Sequence, residues 1–189
     1  MLWGGICYTA FIMRNQYHPI AKLLHWSIVL LVGAQYLNAD WMPEINDSVA
    51  PGFFFDVHAS LGLLAGLLMI ALFVMHFLSP VNKPEMSSPG MQERLALLAH
   101  LGLYALLLVT PLSGWASANV GGLSVNFFNM VDLPSLVALG AIELVGEGHE
   151  LFTSALGFLV IIHILAAFYH HFFLEDNILN RMRPFVKVK

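Results

Sequence analysis

Charged residues and cysteine are scarce in this 189-residue chain, and each scarcity excludes a class of protein. Only 11% of the residues are Asp, Glu, Lys or Arg, while 58% are hydrophobic, a composition unlike that of an ordinary soluble domain. The single cysteine, Cys7, excludes an internal disulfide framework. Because the formal net charge is −4, the chain lacks the basic surface of a nucleic-acid-binding protein, and no nucleic-acid partner is expected. We expect its hydrophobic surroundings to be the lipid bilayer.

Four long apolar stretches are present instead. A transmembrane helix needs roughly 20 mostly apolar residues, and the stretches at about 20–39, 57–78, 95–118 and 150–173 meet this requirement. No small-residue cleavage site closes the first stretch, so it is predicted to be a membrane span and not a signal peptide. The sequence therefore predicts an all-α membrane protein with a four-transmembrane-helix bundle.

The boundaries of this membrane domain are predicted at residues 14 and 183. Met13 is followed by Arg14 and reads like a bacterial start with its positive flank, so residues 1–13 are interpreted as an extension from a start assigned too early. Residues 184–189 form a basic tail. The loop between the third and fourth spans could hold a short surface helix around 134–145.

Basic residues are absent from two of the three loops. Cytoplasmic loops of membrane proteins are enriched in Lys and Arg, so both termini and the middle loop are predicted to be cytoplasmic. The first and third loops are then predicted to face the periplasm, which makes the chain a multi-pass protein of the bacterial inner membrane. The eight basic residues are Arg14, Lys22, Lys83, Arg94, Arg181, Arg183, Lys187 and Lys189.

Histidine is unusually frequent for so apolar a chain. All but the first of the nine histidines lie inside or at the edge of a predicted span, where ionisable groups are costly and usually functional. A neutral imidazole bonded to a carbonyl could explain one of them, but eight such partners in one apolar bundle are hard to supply. The histidines are at positions 18, 25, 58, 76, 100, 149, 163, 170 and 171.

Helical spacing sorts these histidines into pairs. His149 and His163 are 14 residues apart on the fourth span, about 21 Å along the axis and on nearly one face, and His170 continues that face. His58 begins the second span at the outer level of His149, so these two can face each other. His25 lies in the inner half, as His163 does, and these two can form a second pair.

The inner pair is open to alternatives, because His76, His100 and His170 also lie in the cytoplasmic half and could replace either member. Ligation by two imidazoles suits a haem used for electron transfer. Transport of zinc is the competing use of membrane histidines, but it normally recruits carboxylates, and none lies within a span between its ends. Haem is therefore favoured over a bare metal site.

Several short motifs together resemble those of the bacterial cytochrome b561 family, over nearly all of the chain from Tyr17 to Met182. The motifs are His25-Trp26, Val57-His58-Ala59-Ser60-Leu61-Gly62, Ala99-His100-Leu101-Gly102-Leu103-Tyr104, Pro111-Leu112-Ser113-Gly114, Leu123-Ser124-Val125-Asn126-Phe127-Phe128, and the ending from His163 through His170-His171-Phe172-Phe173 to Asn177.

This resemblance implies two b-type haems per chain in a four-helix membrane cytochrome, and it is shared with the cytochrome b subunits of membrane hydrogenases and formate dehydrogenase. The implied roles are ligation of the cytoplasmic-side haem by His25 and His163, ligation of the periplasmic-side haem by His58 and His149, support by His100, a quinone site at His170, an interfacial position for His76, and headgroup-level positions for His18 and His171.

The expected function is transmembrane electron transfer between a periplasmic redox partner of open identity and the quinone pool, with lipid around the bundle. Three alternatives are a superoxide:ubiquinone oxidoreductase, a haem-bearing anchor subunit of a dehydrogenase or hydrogenase, and a transporter without cofactor. The first is considered because one member type of the family oxidises superoxide. Steering of superoxide favours basic residues near the outer haem, whereas the predicted outer loops hold only acidic ones.

Overall fold

A computed structural model describes residues 16–42, 52–79, 90–136, 148–176 and 178–184. The predicted extension, residues 1–13, lies outside the described residues. So does the basic tail after residue 184. Of the surface helix predicted around 134–145, only residues 134–136 are described, and they are not helical.

Four long helices dominate the described chain, and each is long and apolar enough to cross a membrane. This confirms the predicted all-α, four-helix membrane fold. The elements in chain order are α1 (Pro19–Ala39), α2 (Phe53–Leu78), α3 (Met91–Val120), β1 (Asn126–Phe127), β2 (Val131–Asp132), α4 (His149–Phe172) and the short α5 (Ile178–Met182).

The ends of the helices follow local signals in the sequence. His18 caps α1 because its Nδ1 accepts a hydrogen bond from the Ile20 amide at 3.2 Å, and Pro19 occupies the first turn, where no amide donor is needed. The end of α3 also follows a local signal. Gly122, just after the helix, takes a φ of +77°, a conformation that favours glycine. The Leu123 amide then donates back to the Ala118 carbonyl at 2.8 Å.

Neighbours in sequence are neighbours in space: α1 packs on α2, α2 on α3, and α3 on α4. The common core is a cluster of buried apolar side chains at mid-height, formed by Ile28, Met69, Leu103, Leu107 and Leu156. In contrast, α4 makes little direct backbone contact with α1 and α2 among the described residues. The space that separates α4 from these two helices is therefore bridged by side chains.

The two ends of the bundle differ in charge. At one end, here called the basic end, α1 and α3 begin and α2 and α4 finish, and every Lys and Arg of the described segments lies there. The opposite end, here called the acidic end, carries Asp40, Asp56, Asp132 and Glu150. Tyr36 ties helices together at this end, since its hydroxyl donates to the Thr153 carbonyl at 2.7 Å.

A small β-hairpin follows α3 at the acidic end. Its two strands pair antiparallel, with Asn126 opposite Asp132 and Phe127 opposite Val131. The Ser60 hydroxyl of α2 secures the hairpin, because it donates to the Asn126 carbonyl at 3.2 Å and accepts from the Phe128 amide at 2.9 Å. The loop after α3 is thereby folded against α2 beside the site described next.

Candidate functional site

Two histidines from different helices face each other near the acidic end. His58 lies one turn into α2, and His149 is the first residue of α4. Their ring centres are 6.4 Å apart with the ring planes at 89°. The structure therefore brings together the pair that depth along the spans predicts, and we call it the acidic-end pair.

A cavity of about 820 Å³ surrounds this pair, within the range of roughly 300–1,000 Å³ typical of cofactor pockets. Its wall is mostly apolar, and residues of α1, α2, α3 and α4 contribute to it. The loop before the hairpin closes one side through Leu123 and Val125, and Val125 is almost fully buried at 1% exposure. The two imidazoles therefore face a cavity whose wall is mostly apolar, with a few further polar side chains such as Gln35 and Thr110.

A second pair lies nearer the basic end. His25 of α1 and His163 of α4 also have ring centres 6.4 Å apart, with an interplanar angle of 59°. His100 of α3 is close as well, 5.4 Å from His163 between ring centres. Its Nδ1, however, bonds the Ala96 carbonyl at 2.6 Å, and its side chain is exposed. His25 and His163 form the basic-end pair, with His100 at its edge.

The separation within each pair matches ligation of one metal by two imidazoles. At a metal–nitrogen distance of about 2.0 Å, two rings on opposite sides of a metal have centres roughly 6 Å apart. In the described part of the chain, no three His, Cys, Asp or Glu side chains cluster in a way that could hold a bare ion. Two axial imidazoles beside an apolar cavity fit a cofactor that brings its own equatorial ligands, as haem does.

The way in which α1 holds the backbone of His58 supports the same fit, because it leaves the imidazole to line the cavity. His58 Nδ1 is buried and has no hydrogen-bond partner among the described residues, while the His58 carbonyl accepts from Gln35 Nε2 at 2.8 Å. Gly62 makes room for this amide, because a Cβ at that position would lie 2.6 Å from Gln35 Nε2. The His58 ring is therefore held from its backbone side and faces the cavity.

His149 is held in a different way, by α3. Its Nδ1 lies 3.1 Å from the Thr110 carbonyl and 3.1 Å from the Ser113 hydroxyl. Metal-bound histidines usually hold their second ring nitrogen in this manner, which fixes the orientation of the ring. Sequence reasoning did not assign a role to Gln35, Thr110 or Ser113, because a small polar residue in an apolar span gives no indication of which neighbour it contacts.

The remaining histidines occupy the periphery of the basic end. His170 Nδ1 lies 2.5 Å from Asp176 Oδ2, and Asp176 Oδ1 accepts from the Ile178 amide that opens α5. His76 is exposed and contacts Phe77, and His171 contacts Phe172. Apart from His100, at the edge of the basic-end pair, none of these rings contacts a paired histidine in the described segments.

Comparison with known proteins identifies the family of the chain. Residues 16–185 match the sequence profile of the prokaryotic cytochrome b561 family. The chain is 27% identical over 173 residues to cytochrome b561 homolog 2 of Escherichia coli strain K12, which covers 89% of this chain and 91% of the relative. It is 28% identical over 176 residues to cytochrome b561 homolog 1 of the same organism, covering 90% and 98%. A probable superoxide oxidase CybB of Yersinia pestis is 26% identical over 174 residues, covering 91% and 98%.

Proposed function

Because the chain belongs to the prokaryotic cytochrome b561 family of bacterial membrane electron-transfer proteins with b-type haem, we propose that it carries electrons across the membrane through two haems. His58 and His149 would hold one haem, and His25 and His163 the other. The observation that carries this proposal is the repetition of one geometry, two imidazoles with centres 6.4 Å apart, at two levels of the same helix.

The chemistry of the two pairs suits electron transfer. Bound haem supplies an iron that changes its charge by one electron at a potential that its ligands and surroundings tune. Two imidazoles would hold each haem iron and would leave it no open position for a substrate. The mostly apolar cavity wall would surround the haem of the acidic-end pair, and α4 carries one ligand of each pair, which fixes the distance between them. The residues would thus bind and orient the two redox centres.

The proposed orientation of the chain in the membrane follows from its charge distribution. The positive-inside rule places the basic end, with Lys22, Arg94, Arg181 and Arg183, in the cytoplasm. Electrons would then pass between a periplasmic redox partner at the acidic end and a quinone near the basic end. His170 is the candidate residue for the quinone site. It is partly buried near the end of α4, the helix that also carries His163, and it is bonded to Asp176.

Optical spectra and haem counting test the proposal directly. We expect two b-type haems per chain in the purified protein, and we expect His58→Ala and His149→Ala each to remove the same haem. His25→Ala and His163→Ala should each remove the other. His100→Ala is the matched control, since an imidazole that only borders the basic-end pair leaves both haems in place. A protein with no haem, or one that loses the basic-end haem in His100→Ala but keeps it in His25→Ala, would contradict the proposal.

Superoxide oxidation is a second candidate, because a relative is named a probable superoxide oxidase. The described acidic end argues for a different electron donor, since Asp40, Asp56, Asp132 and Glu150 lie at that end and no Lys or Arg of the described segments does. An anionic substrate is repelled by such a surface. Stopped-flow reduction of the haems by superoxide separates the two. A fast, saturable reaction would support the oxidase, and a slow, unsaturable one would support electron transfer from another donor.

A further inference from the structure

The ring of His149 is held by a five-residue segment of α3, Thr110 to Gly114. Three contacts define this seat: His149 Nδ1 to the Thr110 carbonyl at 3.1 Å, His149 Nδ1 to Ser113 Oγ at 3.1 Å, and Ser113 Oγ to the Thr110 carbonyl at 2.8 Å. Ser113 is fully buried, with 0% of its surface exposed. The three groups therefore form a closed triangle around the buried Ser113 hydroxyl.

The triangle fixes which ring nitrogen carries the hydrogen. A hydroxyl has one proton, and the Ser113 hydroxyl donates it to the Thr110 carbonyl. Toward His149 the same oxygen can only accept, and the Thr110 carbonyl can only accept as well. His149 Nδ1 must therefore carry the hydrogen and share it between two oxygens, which leaves the lone pair on Nε2 free for a metal.

Gly114 gives the His149 ring its space. A Cβ on Gly114 would lie 2.9 Å from His149 Cε1, closer than carbon atoms approach. The absence of a side chain at position 114 therefore lets α3 approach the ring edge closely enough for the Thr110 carbonyl and the Ser113 hydroxyl to bond His149 Nδ1.

The two ligands of the acidic-end pair consequently differ. His149 donates from Nδ1 to two oxygens, whereas His58 Nδ1 has no partner among the described residues. Donation from the outer nitrogen makes an imidazole a more basic ligand, and a more basic ligand favours the oxidised, more positive iron. The difference in basicity between the two imidazoles of the acidic-end pair therefore comes from their contacts with α3.

We propose that Ser113 and Gly114 are positioning residues for the acidic-end haem: through His149 they fix the ligating nitrogen and lower the reduction potential of that haem relative to a site without this seat. The inference rests on the proposed two-haem function. It adds a means by which α3, a helix that supplies no ligand, controls the redox poise of the acidic-end site.

Ser113→Ala tests the proposal in the haem-loaded protein. Loss of one acceptor should shift the equilibrium between oxidised and reduced acidic-end haem toward the reduced form by about threefold, close to 28 mV at 59 mV per tenfold change. The g values of its oxidised low-spin signal in electron paramagnetic resonance should shift as well. Ser113→Thr keeps the hydroxyl and should restore both properties. The basic-end haem of the same molecule is the internal control and should keep its potential.

Two further variants keep the test decisive. Gly114→Ala should push the His149 ring aside and lower the content of the acidic-end haem several-fold, while the basic-end haem stays. Ser154→Ala, an exposed serine on the helix of His149, is the matched control and should change neither haem. An unchanged acidic-end potential in Ser113→Ala with both haems bound, or an equal shift in Ser154→Ala, would overturn the inference. Absence of two haems in the unaltered protein would instead refute the proposed function.

Discussion

Gln35 shows how a single side chain connects two helices through the backbone of a proposed ligand. Its amide reaches across from α1 to the His58 carbonyl of α2, and it passes over Gly62, where a Cβ would lie 2.6 Å from Gln35 Nε2. Membrane helices often approach closely at small residues and bond across the gap. The position of the His58 backbone therefore depends on a polar residue that ligates nothing.

We predict that Gly62→Ala displaces the Gln35 amide and weakens the protein by about 1 kcal/mol, the net contribution of one hydrogen bond. Thermal unfolding of the purified protein in detergent measures this loss. Gln35→Ala should cost a similar amount, and the double variant should cost little more than either single one, since both remove the same bond. Gly33→Ala is the control because its Cβ meets nothing within 4 Å. Full additivity of the two losses would contradict the prediction.

The ligand candidates could be predicted from sequence at this scale, but their supports could not. Histidine in an apolar span is conspicuous because its burial is costly, and helical rise alone assigns a depth to His58 and His149. Ser113 and Gly114 are ordinary small residues of a membrane helix. Their relation to His149 is a contact across 36 and 35 positions of the chain, which only the packing of α3 on α4 creates.

At the scale of elements, the short helix α5 and the residue after it bond the beginning of α1 at the basic end. Trp26 Nε1 donates to the Met182 carbonyl at 3.1 Å, and Lys22 Nζ donates to the Arg183 carbonyl at 3.1 Å. Asp176 stabilises the start of α5, because its carboxylate accepts a hydrogen bond from the Ile178 amide and also bonds His170. One carboxylate therefore links α4 to a helix that covers the start of α1.

We predict that Asp176→Ala loosens α5, because it removes the acceptor at the start of the helix, a loss worth about 1 kcal/mol. Hydrogen–deuterium exchange of the amides at 178–183 should accelerate about fivefold, while exchange in α2 stays the same. Asp176→Asn keeps one oxygen acceptor and should have a smaller effect. Equal exchange in Asp176→Ala and the unaltered protein would show that the Trp26 and Lys22 contacts hold α5 without Asp176.

The β-hairpin was not predicted, and its backbone explains why. Phe128 and Asn129 have φ values of +52° and +55°, a conformation that sequence reasoning assigns to Gly, Asn or Asp and not to an aromatic residue. Two-residue strands carry no alternating pattern. The hairpin is specified instead by a distant hydroxyl, that of Ser60, together with the bond between the side chains of Asn126 and Asp132.

Ser60→Ala should therefore release the hairpin from α2. Both bonds made by the hydroxyl disappear, so we expect limited proteolysis between residues 126 and 132 to accelerate several-fold in detergent, with the helices intact. Ser124→Ala, a change at an exposed serine beside the hairpin, serves as the control. Identical cleavage rates in Ser60→Ala and the unaltered protein would show that strand pairing holds the loop without the help of α2.

At the scale of the whole molecule, charge asymmetry predicts orientation. In a Cys7→Ser background, Met130→Cys places a thiol on the hairpin, where residue 130 is 84% exposed, and Arg183→Cys places one at the basic end. A membrane-impermeant maleimide added to intact spheroplasts should label position 130 only. Label at position 183 should require permeabilised cells, because positively charged segments stay in the cytoplasm. The reverse pattern would contradict the proposed orientation, in which the acidic end faces the periplasm.

The placement of one member of each histidine pair on α4 has an electrical consequence. His149 and His163 are 14 residues apart, about 21 Å along the helix, against a hydrocarbon core of about 30 Å. With haems bound at both pairs as proposed, an electron that moves between them would cross roughly 0.7 of the transmembrane voltage. At about 2.3 kcal/mol per charge for each 100 mV, the free energy of this step would change by about 1.6 kcal/mol per 100 mV, or about 15-fold in its equilibrium, so the membrane potential would set how electrons divide between the two ends of α4.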